Sequence, residues 1–144
     1  MSLRYKKLYV DSTSLVRPAI GDAGYDLRAY GNYILSRGTP TTINTGIAVE
    51  IPSGYVGLIF PRSGLRAKAR VSQYGTGVID SSFRGELKMI TELHTNTPHE
   101  AYHILSGDKI AQLVIVPYYV NDVEEVSELS TSPRGVDGFG STGR

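Results

Sequence analysis

The sequence has no cysteine and no tryptophan, and it has only three phenylalanines and two methionines. Without cysteine the chain can form neither a disulfide framework nor a thiolate metal cage, and thiol catalysis is excluded. No apolar run approaches the ~20 residues that a membrane-spanning helix needs, and residues 1–7 lack the apolar core of a signal peptide. We therefore expect a soluble, cytoplasmic protein with no membrane partner, and a nuclear or viral origin stays open.

The sequence also has no large excess of positive or negative charge. The 15 Lys and Arg residues are balanced by 14 Asp and Glu residues, which leaves a formal net charge of +1. A protein that holds nucleic acid by neutralising phosphates is usually much more basic, so we expect no nucleic-acid partner. A length of 144 residues corresponds to one domain with a core of its own.

What the sequence does contain is alternation of apolar and polar residues in short segments, separated by Gly, Pro, Asn and Ser. This pattern predicts β-strands at 42–51, 55–60, 77–79, 86–93, 101–105 and 110–117. Their spacing is typical of an all-β sandwich or barrel. Only residues 64–70 favour a helix, of no more than about two turns. The predicted fold class is all-β with one short helix.

Two matches to catalytic motifs fail on their context. The segment His99–His103 fits the HExxH zinc signature, but Pro98 and Gly107 leave too few residues for a helix. In a strand the two histidines would lie about 13 Å apart, too far to share one zinc ion. The segment Ser106–Lys109 fits S-x-x-K but has the composition of a turn, and no P-loop sequence occurs.

Five other segments each allow a functional and an ordinary interpretation. In the first, Ala23–Ala29, a glycine turn brings Asp26 to the start of a strand, where it could equally cap its own backbone. In the second, Pro61–Leu65, the proline ends a strand and Ser63 could begin the short helix. A helix start with free N–H groups and a hydroxyl is suited to phosphate, and an ordinary Ser N-cap is the alternative.

The third segment, Gly75–Glu86, predicts a tight hairpin with Asp80 and Phe83 at its tip. Asp80 could be a mere turn former and Phe83 a core residue. In the fourth, Gly107–Leu113, Gln112 interrupts an apolar strand. A buried glutamine needs a hydrogen-bond partner, which either a phosphate or the backbone could supply.

The fifth segment is the C-terminal sequence, 134–144, which combines four glycines with one aromatic ring, two hydroxyls and two cations. Glycines allow close backbone approach, and cations and hydroxyls donate to phosphate oxygens. An ordinary frayed tail is the alternative. The functional interpretation of this segment divides the chain into a catalytic β-barrel, 1–133, and a flexible glycine-rich flap, 134–144, that closes over a nucleotide.

In this order and spacing the five segments resemble the five motifs of the trimeric deoxyuridine triphosphatase (dUTPase) family, from about residue 20 to the end. The resemblance implies a jelly-roll-like β-barrel (a β-clip) and a homotrimer with active sites at subunit interfaces. It also implies hydrolysis of dUTP to dUMP and pyrophosphate with Mg²⁺. That reaction limits uracil incorporation into DNA and supplies dUMP for dTMP synthesis.

The resemblance further assigns roles to individual residues. Asp80 is expected to orient or deprotonate the attacking water. Phe83, where many members have Tyr, is expected to lie against the deoxyribose, and Asp26 to act on the metal through water. The uracil would be bound by the backbone of Thr76, Gly77, Val78 and Ile79. The phosphates would be bound by Arg62, Ser63, Gly64 and Gln112. The base and γ-phosphate would be covered by Arg134, Phe139, Gly140, Ser141 and Thr142 of another subunit.

Two other functions stay open. One is a regulatory binding module on the same fold, whose protein partner is not visible in the sequence. The other is a dCTP deaminase, which shares the fold but attacks the base. The hairpin and the complete flap favour attack on the phosphate.

Overall fold

The computed structural model describes residues 2–136 and consists almost entirely of antiparallel strands. The strands are β1 (Arg4–Lys7), β2 (Gly24–Arg28), β3 (Tyr33–Ser36), β4 (Thr41–Glu50), β5 (Tyr55–Pro61), β6 (Val71–Gln73), β7 (Gly77–Ile79), β8 (Glu86–Leu93), β9 (Ala101–Ile104) and β10 (Lys109–Pro117). One short helical turn of π type, Leu65–Ala69, connects β5 to β6. The all-β prediction with one short helix is confirmed.

The strands form two four-stranded sheets and one two-stranded sheet. The first sheet has the order β1-β4-β8-β6, the second β2-β10-β5-β7, and β3 pairs with β9. Alternation places one face of β8 in the core: Leu87, Met89 and Leu93 are buried and Lys88 is exposed. Burial of these apolar side chains is the main force that holds the sheets together.

All six predicted strands are present, with bounds that differ by a residue or so. Residues 101–104 form β9, so the last three residues of the HExxH match lie in a strand, whereas His99 and Glu100 precede it. Three strands had not been predicted: β1, β3 and β6. Each has four residues or fewer, and their positions depend on pairing with β4, β9 and β8 respectively. Within residues 2–136 no helix is long and apolar enough to cross a membrane.

The predicted hairpin at Gly75–Glu86 is wrong. Strand β7 pairs with β5, with Val78 opposite Leu58, whereas β8 pairs with β4 and β6. Both edges of β8 are therefore occupied, and no edge remains for β7. A turn that begins at Asp80, closed by the Phe83 N–H on the Asp80 carbonyl at 3.0 Å, carries the chain from one sheet to the other.

Candidate nucleotide site

The first, second and fourth segments meet at one end of the second sheet. Strand β10 lies between β2 and β5, and its Gln112 is opposite Asp26 on one side and Phe60 on the other. Arg62 follows the last residue of β5, Pro61, which lies opposite Ala111. Strand register thus brings Asp26, Arg62 and Gln112 together.

The Asp26 carboxylate binds two cations. Arg62 Nη1 donates to Oδ1, and Lys109 Nζ lies 2.7 Å from Oδ2. The expectation that Asp26 might cap its own backbone is therefore wrong. These side chains are about one-third exposed, so the ion pairs add little to folding stability. Their consequence is geometric, because Asp26 fixes the direction of two cations beside a cavity.

That cavity has a volume of about 590 Å³ and lies between the end of the sheet and the loop at residues 14–23. Its charged lining residues are Arg17, Asp22, Asp26, Arg28, Arg62 and Lys109. Four cations against two carboxylates leave a formal excess of two positive charges. A concave surface with this excess attracts and orients an anion that carries several negative charges.

Gln112 reaches the same cavity because Gly24 has no side chain. A methyl group on Gly24 would lie 2.7 Å from Gln112 Oε1 and 3.1 Å from its Cβ. The Gln112 side chain is half-buried and makes no hydrogen bond within residues 2–136. Its amide is therefore available to a ligand in the cavity.

The chain after Arg62 leaves its polar groups exposed. Gly64 occupies the N-cap position of the helical turn, and no side chain caps it. The interpretation of Ser63 as an ordinary N-cap is therefore wrong, and both Ser63 and Gly64 are exposed. Arg70 ends the turn in a left-handed conformation, with φ 52°, and its N–H binds the Leu65 carbonyl.

The third segment lies away from this cavity. Ile79, which precedes Asp80, is opposite Gly57 near the start of β5, whereas Arg62 follows the end of that strand. At ~3.3 Å per residue, Asp80 and Arg62 are separated by roughly 20 Å along the sheet. One chain therefore does not bring the predicted catalytic acid to the predicted phosphate ligands.

Residues of the third segment face solvent. Val78 is 64% exposed and Phe83 42% exposed, so the interpretation of Phe83 as a core residue is wrong. Thr76 and Asp80 are also exposed, and Gly77 and Ile79 are partly buried against β5. An aromatic ring, a carboxylate and the open edge of β7 thus share one exposed surface.

Of the predicted flap, only its first residues belong to the described range. Arg134 lies in an exposed turn. The predictions for Phe139, Gly140, Ser141 and Thr142 fall outside the described residues. Within residues 2–136 no group of three or more His, Asp or Glu side chains is arranged to bind a metal ion.

The family model for dUTPase matches residues 12–143 of this sequence. The chain belongs to the dUTPase family. The deoxyuridine 5'-triphosphate nucleotidohydrolase of Paramecium bursaria Chlorella virus 1 is 42% identical over 142 residues, which are 99% of this chain and 98% of the relative.

Solved dUTPase structures have the same fold. The dUTPase of Staphylococcus bacteriophage 80alpha with dUPNHPP has a TM-score of 0.91 and 33% identity, and 99% of each chain is covered. A mutant dUTPase from phage phi11 of S. aureus, described for its coordination of a structural Mg(II) ion, has a TM-score of 0.80. It is 29% identical, over 89% of this chain and 98% of that one. The likeness confirms the jelly-roll-like β fold.

Sequence reasoning missed several residues around the cavity. Lys109 lies within the fourth segment but had no assigned role, and Arg17, Asp22 and Arg28 had none either. Lys109 begins an apolar strand, which was a weak signal. Its contact with Asp26 could not be inferred from the sequence, because that contact depends on the pairing of β2 with β10.

Proposed function

We propose that this protein hydrolyses dUTP to dUMP and pyrophosphate by attack of water on the α-phosphate. The observation that carries the proposal is the cationic cavity in which three motifs of a dUTPase chain converge. A triphosphate offers the negative charge that this cavity attracts, and the reaction depends on holding that triphosphate in a reactive conformation.

At the phosphate end, Arg62, Ser63 and Gln112 donate to phosphate oxygens, and the backbone N–H of Gly64 adds a further donor. The exposed Ser63 and the unpaired Gln112 amide support these roles, since neither makes a hydrogen bond elsewhere in residues 2–136. Hydrogen bonds to charged oxygens are about twice as strong as neutral ones.

At the base end, the backbone from Thr76 to Ile79 binds uracil, and the Phe83 ring lies against the deoxyribose. Asp80 accepts a proton from the attacking water or orients it. The exposed carboxylate of Asp80 and the exposed ring of Phe83 support this assignment.

The active enzyme is a homotrimer in which different subunits supply the two ends of each site. The ~20 Å between Asp80 and Arg62 supports sharing, because the α-phosphate must be near both ends. The segment from Tyr118 to Val136 supports an interface. It contains no strand, and several large apolar side chains are almost fully exposed: Tyr119 at 95%, Val123 at 98% and Leu129 at 87%.

Shared sites predict complementation. Asp80→Asn and Gln112→Ala chains, each strongly impaired alone, should regain activity when they are unfolded together and refolded as mixed trimers. Sedimentation should give three times the chain mass. Activity of a monomer, or mixed trimers that stay inactive, would contradict shared sites.

Mg²⁺ is the cofactor, held mainly by the substrate. Both Asp26 oxygens already bind cations, so this carboxylate acts on the metal through water rather than directly. When bound, Mg²⁺ neutralises triphosphate charge. The flap, 134–144, covers the base and the γ-phosphate, a role supported by its composition alone.

The deciding experiment is pyrophosphate release from dUTP, dTTP, dCTP and UTP, with Mg²⁺ and with a chelator. Release from dUTP alone, and only with Mg²⁺, is the expected result. Ammonia release from dCTP would show a deaminase instead. Release from none of the four would favour a second candidate, a nucleotide-dependent regulatory module. That candidate is favoured by a similar solved structure, the 80alpha dUTPase, because phage dUTPases are described there as controlling transfer of virulence genes by a G protein-like mechanism.

A further inference from the structure

We propose that Arg84 is a positioning residue that fixes the turn carrying Asp80 and Phe83. The inference rests on the proposed function, in which that turn supplies the acid and the ring of the site. It gives a role to a cation that neither the cavity nor the phosphate ligands include.

The Arg84 guanidinium binds the turn from outside. Its Nη1 donates to the Ser81 carbonyl at 2.6 Å and to the Phe83 carbonyl at 2.8 Å. Together with the bond from the Phe83 N–H to the Asp80 carbonyl, these contacts hold the four peptide groups between Asp80 and Arg84. Hydrogen bonds from a charged donor are the stronger kind, and the turn has few others.

The other side of the guanidinium faces the first sheet. Arg84 Nη2 lies 3.7 Å from Glu50 Oε1 at the end of β4, and Glu50 also pairs with Arg4 of β1. One guanidinium therefore links the turn to the end of an inner strand of the first sheet. The arrangement suits a planar guanidinium, since it contacts the turn through one nitrogen and Glu50 through another, whereas lysine has a single nitrogen.

Phe83 needs this support because little else holds it. A methyl group on Gly85 would lie 2.5 Å from Phe83 Cζ, so the ring packs directly on the Gly85 backbone. Ser82, Phe83, Arg84 and Gly85 are all exposed. A turn with few buried contacts opens easily unless polar contacts hold it.

The ordinary interpretation is a surface cation with one ion pair. The Arg84 side chain is 53% exposed, and such pairs contribute little to folding stability. A positioning role for Arg84 predicts changes in substrate selectivity and in amide hydrogen exchange of the turn, without a change in global stability.

The test compares Arg84→Met with Arg84→Lys and with a matched control, Lys88→Met, which removes an exposed cation paired to Glu86 on the same strand. Measurements are kcat and KM for dUTP and UTP, the thermal midpoint, and amide hydrogen exchange. Arg84→Met should lower kcat for dUTP about 10-fold or more, reduce the preference for dUTP over UTP, and speed exchange at residues 81–85 alone. Arg84→Lys should be intermediate, and Lys88→Met should resemble the wild type.

Two results would overturn the inference. One is unchanged kcat, selectivity and exchange in Arg84→Met. The other is a large fall in thermal midpoint with unchanged selectivity, which would assign a structural role. If the wild type does not hydrolyse dUTP, the proposed function fails, and the exchange measurement still decides whether Arg84 fixes the turn.

Discussion

Replacement of Gly24 by alanine should impair catalysis without loss of stability. The new methyl group would lie 2.7 Å from Gln112 Oε1, well inside van der Waals contact. That oxygen is the far end of a flexible side chain, so Gln112 should turn away from the cavity. The methyl group would also lie 3.1 Å from Gln112 Cβ, which this rotation does not move, so β2 and β10 should shift locally by a few tenths of an ångström. The φ angle of Gly24 is not positive, so its backbone conformation is one that alanine can also adopt.

The magnitudes follow from the bond that is lost. A hydrogen bond to a charged group contributes about 1.5–3 kcal/mol, so kcat/KM should fall about 10- to 150-fold. Alanine in a strand is more favourable than glycine by about 0.5–1 kcal/mol, which offsets the local crowding. The thermal midpoint should therefore change little.

The assay is steady-state pyrophosphate release by Gly24→Ala, Gln112→Ala and the double variant. If the methyl group acts through Gln112, the double variant should be no worse than Gln112→Ala, since contacting residues are not additive. A wild-type kcat/KM in Gly24→Ala, or additive losses in the double variant, would refute the reasoning.

Four further predictions concern other parts of the chain. Asp80→Asn should lower kcat about 10²-fold or more with binding of a dUTP analogue retained, and near-normal turnover would remove Asp80 from the mechanism. Lys109→Met should raise KM for dUTP and make KM less dependent on ionic strength, whereas Lys109→Arg should leave both unchanged. If KM depends equally on ionic strength in Lys109→Met and the wild type, Lys109 does not act on the phosphates. Deletion of 134–144 should abolish most activity and leave the sedimentation coefficient of a trimer, and a full rate would end the flap hypothesis. The pKa of the Tyr74 phenol is raised above its ordinary value, mainly by the hydrogen bond with Glu92 and secondly by burial. Glu92→Gln should therefore lower that pKa in a phenolate absorbance titration, and an unchanged titration curve would contradict this cause.

The fold was predictable where strands are long and have one buried face. Strand β8 shows its alternation plainly in Leu87, Met89 and Leu93, and it was predicted with its observed bounds. Strand β1 shows none, because Arg4, Tyr5 and Lys6 are all exposed and its position depends on pairing with β4. The local alternation of apolar and polar residues indicates which face of a strand is buried, whereas strand pairing depends on residues far away in the sequence.

The same limit applies to the site. Asp26 and Gln112 were both selected from the sequence, but their opposition across β2 and β10 is a matter of register. The hairpin error has the same origin, since the turn at Asp80 was visible and the occupied edges of β8 were not. The roles of the selected residues stay predictions.

Strand β5 sets the distance between the two ends of the proposed site. Five residues of β5, Gly57–Pro61, lie between the level of Asp80 and Arg62, and β10 pairs with every one of them. No hinge or loop movement inside a chain can shorten such a strand. In the proposed trimer, catalytic competence therefore obeys mass action between subunits, and the specific activity of each chain should fall on dilution once the trimer begins to dissociate.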